Sequence, residues 1–141
     1  MAILFHDYSF KSGIKDKRKI KAWIDAVVEK ENLKAGNINI VFTNDEDLRE
    51  INIKYLSHNY YTDIITFDYS EGNSVSGDIY ISVERVQENA EKFHVEKRME
   101  MLRVIIHGIL HLTGYNDSDE SEKKKMRYME DESLKYYSSV K

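Results

Sequence analysis

The residues of this chain best suited to chemistry lie in one short segment, His107-Gly108-Ile109-Leu110-His111-Leu112-Thr113-Gly114-Tyr115-Asn116-Asp117. On a helix, two histidines at i and i+4 stand about 40° apart around the axis and about 6 Å along it, so both rings can reach one ion without distorting the backbone. Gly114 is placed to leave the helix through a left-handed position, which turns the chain back within a few residues. Asp117 then completes a set of two imidazoles and one carboxylate. Three protein ligands leave a coordination position for water, the pattern of a catalytic rather than a structural zinc site. The rival reading makes both histidines core residues, because Met101, Leu102, Val104, Ile105, Ile106, Ile109, Leu110 and Leu112 render this helix apolar almost all round. A His-x-x-x-His pair alone would leave the two readings level, since five histidines in a chain of this size can produce one by accident. The glycine and the acid favour the metal, because core packing requires neither at those offsets.

Other residues carry weaker signals. Asp63 and Asp78 could orient a ligand histidine through its second nitrogen, although solvent exposure at strand ends is the preferred reading. His6 and His94 have no ligand partner at useful spacing and read as structural or solvated. Met126 and Met129 read as core fillers. Lys11, Lys15, Lys17, Arg18, Lys19 and Lys21 could meet a phosphate backbone, but a solvated helix face is the simpler account.

The whole chain limits what such a site can be. With 141 residues it fits a single domain, residues 1–141, with one core. There is no cysteine, so disulfides, thiolate zinc sites and thiol nucleophiles are excluded, and any metal must bind through nitrogen and oxygen. That composition suits a reducing cytoplasm. The amino-terminal residues lack the basic region of a signal peptide, and no apolar run approaches the roughly 20 residues that span a bilayer. A formal charge of −4 argues against a protein that coats nucleic acid nonspecifically, yet leaves room for a catalytic cleft for RNA.

The elements that must position the site follow from periodicity. Proline is absent, so reversals depend on Gly, Asn, Asp and Ser. Ile3 to Phe5 form an expected edge strand, and Ile20, Trp23, Ile24, Val27 and Val28 a helical stripe, with Gly36 as the stop signal. Ile38, Ile40 and Phe42 alternate as a strand, after which Thr43 or Asn44 caps a helix carrying Leu48, Ile51 and Tyr55. Strands at Ile64 to Tyr69 and Asp78 to Ser82 are joined by Ser-Glu-Gly-Asn-Ser-Val-Ser-Gly, a loop longer than a tight turn. Ser82 caps a helix through Phe93. Further helices run from about Glu96 to Leu112 and from about Asp119 to Tyr137. The order βαβαββααα predicts an α+β fold, with a mixed sheet of about four strands, about five helices packed on it, and the metal-site helix in the core.

The spacing His-x-x-x-His-x-x-Gly-x-x-Asp resembles the metzincin proteases. Those enzymes place a glutamate directly after the first histidine as general base, whereas this chain has Gly108, which accepts no proton. Read at full length, the sequence resembles the YbeY family, bacterial endoribonucleases associated with ribosomal RNA maturation and ribosome quality control. Three blocks carry that likeness: Thr62-Asp63-Ile64-Ile65-Thr66-Phe67, Gly77-Asp78-Ile79-Tyr80-Ile81-Ser82, and the metal segment. The resemblance implies one bound Zn2+ per chain, with other divalent metals possible, on His107, His111 and Asp117. It also implies single-stranded RNA, an rRNA precursor, as substrate, and a ribosomal subunit or ribosomal protein as partner, with no role for DNA or a membrane. Two departures stand out. The usual third ligand is histidine where this chain has Asp117, and the arginine that usually follows the tyrosine closing the second helix is Leu56 here. His58, just beyond it, could supply part of the missing positive charge or hydrogen bonding. A non-catalytic ribosome assembly factor with a structural metal is the main alternative, and a metzincin-like peptidase the weaker one. His107, His111 and Asp117 are expected to act through a metal-bound water, a choice motivated by the lack of a side-chain base at Gly108, although attack by the ribose 2′-hydroxyl is equally compatible with these residues.

Overall fold

In the computed structural model, which describes residues 2–141, the chain runs β1 (Ile3–Asp7), α1 (Lys17–Lys30), β2 (Lys34–Thr43), α2 (Asp45–Leu56), β3 (Ile64–Asp68), β4 (Ser74–Ser82), α3 (Val83–Phe93), α4 (Lys97–Leu112) and α5 (Glu120–Tyr137). This is the expected βαβαββααα order. The four strands form one mixed sheet in the order β1-β2-β4-β3, with β1, β2 and β4 parallel and β3 antiparallel to β4. β1 is an edge strand, as its short apolar sequence implied.

Alternation along the strands decides which face is covered. Ile38, Ile40 and Phe42 of β2 and Ile79 and Ile81 of β4 are fully buried and join the apolar stripes of α1 and α4 in the main core. α4 packs on β3 and β4, with α3 and α5 against its flanks. On the other face, α2 covers only part of the sheet: Leu48 and Ile65 are buried outside the main cluster. An open cavity of about 540 Å³ remains there, lined by Tyr8, Tyr55, Phe67, Tyr69 and Tyr80 among others.

Helix starts follow the expected chemistry. The Asn44 side chain accepts from the Asp47 amide at 2.8 Å, and the Ser82 hydroxyl accepts from the Arg85 amide at 3.1 Å. Asp119 and Glu122 form a reciprocal capping box at the start of α5.

Two expectations need correction. Gly36 does not stop α1, which ends six residues earlier by number, at Lys30, through Asn32 in a left-handed conformation (φ 60). Gly36 lies inside β2, where the register with β4 is interrupted between Ala35 and Ile38, and Ser74 and Ser76 fill the space beside it. The β3–β4 connection is a tight turn. Glu71 and Ser74 exchange backbone hydrogen bonds of 3.1 and 2.9 Å around Gly72 and Asn73, so β4 begins at Ser74. The polar composition of Ser70–Gly77 concealed strand residues, because their outward positions face solvent.

Candidate metal centre

α4 is held close to the sheet by Gly108. A β-carbon there would stand 2.9 Å from Ile64 Cδ1 and 3.0 Å from Ile79 Cγ2, so only glycine permits this approach without displacement. With Gly108 against the sheet, His107 and His111 emerge along the half-buried edge of the helix. The helix then ends in a Schellman turn: the Gly114 amide donates to the His111 carbonyl (3.0 Å), and the Tyr115 amide to the Leu110 carbonyl (3.0 Å). Gly114 takes φ 114, a value disfavoured for residues with a side chain. This reversal brings Asp117 back to the histidines.

The three side chains meet as their spacing required. His107 Nε2 and His111 Nε2 are 3.0 Å apart, and Asp117 Oδ2 lies 3.4 Å from the first and 3.5 Å from the second. In a tetrahedral site with bonds of about 2.0–2.1 Å, donor atoms stand roughly 3.3 Å apart. The observed triangle therefore has the edges of one face of such a tetrahedron. Among the described residues, this is the one group of three or more potential ligands that converges in this way.

The far sides of the rings determine what the near sides offer. His107 Nδ1 lies 2.6 Å from a carboxylate oxygen of Glu130, and His111 Nδ1 lies 3.0 Å from the Tyr115 carbonyl. Both partners are acceptors, so each Nδ1 carries its hydrogen, and in the neutral rings both Nε2 atoms present lone pairs. Two lone pairs and a carboxylate oxygen thus face one another with no donor between them. Such a cluster calls for a cation, and two nitrogens and one oxygen fit a divalent transition metal. Burial opposes the charged form of His107, but the hydrogen bond and charge of Glu130, together with Asp117 and Asp63, outweigh it and hold the pKa above the usual histidine value. The same anionic surroundings that favour a proton favour a metal ion.

Glu130 was not anticipated from the sequence. Its side chain is only 7% exposed, and Arg103 binds it at 2.8 Å while also binding Asp131 at 2.8 Å. Burial alone would raise its pKa, yet the hydrogen bonds and charges of His107 and Arg103 hold it below the ordinary carboxylate value. A signal was present: Met126, Glu130 and Ser133 share the buried stripe of α5, and a charge on an apolar stripe needs a partner. Of the two acids considered for this role, Asp63 is half-buried in the wall of the cavity that also contains His107 and Asp117, without an ion pair to either histidine. Asp78 accepts a hydrogen bond from Asn39 Nδ2 at 3.1 Å, on the sheet face away from α4. His6 bonds Asn39 (2.9 Å), and His94 caps α3 in a left-handed conformation (φ 56).

The family comparison agrees with the geometry. The family model described as "Endoribonuclease YbeY" matches residues 7–138. The chain belongs to the YbeY endoribonuclease family. It is 46% identical over 134 residues to the Endoribonuclease YbeY of Parabacteroides distasonis, covering 95% of this chain and 94% of that protein. With the Endoribonuclease YbeY of Christiangramia forsetii it shares 51% identity over 112 residues, covering 79% of this chain and 78% of the other. A solution structure of a Thermotoga maritima protein matches with a TM-score of 0.70 at 27% identity, covering 96% of this chain and 89% of that one. Against the YbeY pattern, Leu56 closes α2 as an exposed apolar residue. His58 lies in the following loop, exposed and 3.0 Å from the Tyr60 hydroxyl through Nδ1, and is not among the residues lining the cavity of His107 and Asp117.

Proposed function

We propose that this protein is a metal-dependent, single-strand-specific endoribonuclease acting in rRNA maturation and ribosome quality control, built as one hydrolase domain over residues 1–141. The observation that carries the reading is the convergence of two imidazole lone pairs and one carboxylate oxygen in a chain of this family. His107, His111 and Asp117 would hold one divalent ion, with Zn2+ the favoured occupant of such a donor set. When bound, that ion supplies Lewis acidity toward phosphoryl oxygen and activation of water.

The chain's own residues provide the remaining order. Glu130 and the Tyr115 carbonyl keep the hydrogens on the outer ring nitrogens, so the inner nitrogens stay available as ligands. Arg103 keeps Glu130 ionised and fixed. Gly108 faces Ile64 and Ile79, so the position of the metzincin base points into the core here, where no side chain could take a proton from water. Peptide cleavage needs such a base and an acid for the amine leaving group; a phosphodiester, whose developing charge lies on oxygens, depends less on both. His58 is a proposed contributor to substrate contact outside the cavity. An rRNA precursor as substrate, a ribosomal subunit or ribosomal protein as partner and a cytoplasmic location follow from this reading. The absence of cysteine is consistent with it, and among the described residues no helix is long and apolar enough to cross a membrane.

The test is cleavage of single-stranded RNA beside unfolded protein, with His111→Ala protein purified in parallel. Chelator-sensitive RNA cleavage by the wild type alone, with no peptide hydrolysis, is expected. Equal RNA cleavage by both preparations would overturn the reading and favour a non-catalytic assembly factor. Product ends distinguish the nucleophile, because a 2′,3′-cyclic phosphate requires attack by the ribose hydroxyl.

A further inference from the structure

The cavity containing His107 and Asp117, about 380 Å³, does not end at the metal ligands. A second cavity of about 370 Å³ shares its walls at Phe93, Glu100, Arg103 and Arg127, then continues past Val95 and Met99. Together they form a groove along α4 toward the end of α3. Glu100 and His107 are seven residues apart on the same helical face, or about 10 Å along the axis, so the groove extends well beyond a single bound phosphate.

Its two arginines are in different states. Arg103 spends its guanidinium on Glu130 and Asp131, both at 2.8 Å. Arg127 stands at the lip with a 65% exposed side chain, and its carboxylate neighbours Glu130 and Asp131 lie at 3.9 and 4.0 Å, beyond hydrogen-bonding distance. Its donors therefore remain available for an incoming anion. Glu100 lines the same wall, only 8% exposed, and burial, followed by the charge of Asp63, holds its pKa above the ordinary carboxylate value. On the same shared wall, Phe93 is 56% exposed although it is a large aromatic residue, and it borders both cavities. An exposed guanidinium in only long ion pairs and an exposed ring, in a groove continuous with the metal ligands, match the backbone and base of a single strand.

We propose that this groove binds the nucleotide adjacent to the scissile bond, with Arg127 pairing with its phosphate and Phe93 stacking on its base. The proposal rests on the endoribonuclease reading and assigns the direction in which the strand leaves the metal site. Arg127 contributes charge-assisted hydrogen bonds. Phe93 contributes stacking that tolerates any base.

The experiment measures binding of a labelled single-stranded oligoribonucleotide to protein carrying His111→Ala to prevent turnover, alongside kcat and KM in the otherwise wild-type protein. Arg127→Ala should weaken binding about tenfold and flatten the plot of log affinity against log salt by about 0.7, the contribution of one phosphate contact to a single strand. Arg127→Lys should recover the salt slope and only part of the affinity. Phe93→Ala, and to a lesser degree Phe93→Leu, should weaken binding about tenfold with the slope unchanged. All four variants should retain the zinc content of their parent protein. Unchanged affinity and slope in variants of a protein that binds and cleaves RNA would overturn the groove assignment alone. A wild type that neither bound nor cleaved RNA would overturn both readings.

Discussion

The last turns of α4 and the loop after α2 both carry histidines that chemistry could use, yet the fold treats them differently. At the end of α4, each ring is fixed on its outer edge, His107 by Glu130 and His111 by the Tyr115 carbonyl, and the inner nitrogens converge on Asp117. After α2, the loop is anchored by its backbone, with the Asn52 side chain donating to the Tyr60 carbonyl and the His58 amide donating to the Asn52 carbonyl. Among the described residues, the His58 ring itself has only Tyr60, which is also exposed. The histidines that converge differ from His58 in what holds the second ring nitrogen, a contact that spacing along the chain does not reveal.

Removing the outer partner should produce the largest difference between the two regions. Glu130→Ala should lower zinc affinity by about 10- to 100-fold, with Glu130→Gln milder because its amide oxygen still accepts from His107. Competition with a chelator of known affinity measures this, and unchanged affinity in the alanine variant would show that the ring needs no such support. Gly108→Ala attacks the packing that sets the helix against the sheet. It should destabilise the protein by about 1–3 kcal/mol, seen as a lower Tm, because the added carbon meets Ile64 and Ile79. A stability equal to the wild type would mean that the helix can withdraw freely.

Tyr115→Phe should have a smaller effect. Its hydroxyl donates to Glu31 at 2.7 Å, and burial together with that carboxylate pushes its pKa up to about 12. Losing the bond should cost about 1 kcal/mol in a denaturant titration, while zinc affinity stays the same because the carbonyl facing His111 belongs to the backbone. For His58→Ala, stability should change by less than about 0.5 kcal/mol and metal content not at all, with a reduction in RNA turnover smaller than that from Arg127→Ala. Loss of metal would remove the distinction between the two regions, and an unaffected rate would end the proposed role of His58.

What could be read from the sequence divides along the same line. The helices, the strand order of types and the converging triad follow from local rules: periodicity, caps at Asn44 and Ser82, and a glycine that turns α4 back toward its own histidines. Glu130 is 23 positions from His107 and reaches it only because α5 packs on α4, so the support for the ring depends on tertiary structure. Asp78 shows the opposite limit. The sequence allowed its carboxylate as a ligand orienter while preferring a solvated strand end, and strand alternation puts it on the other face of the sheet beside Asn39. Gly36 misled because a glycine signals backbone freedom or close approach without saying which, and here β2 is pressed against Ser74 and Ser76.

The central claim is that His107, His111 and Asp117 together hold one divalent ion. Elemental analysis of the wild type and of the variant carrying His107→Ala, His111→Ala and Asp117→Ala, both shown by circular dichroism to be folded, tests it most directly. About one equivalent of metal per chain in the wild type and none in the variant is the expected result; a folded variant that kept the wild-type metal content would contradict the account.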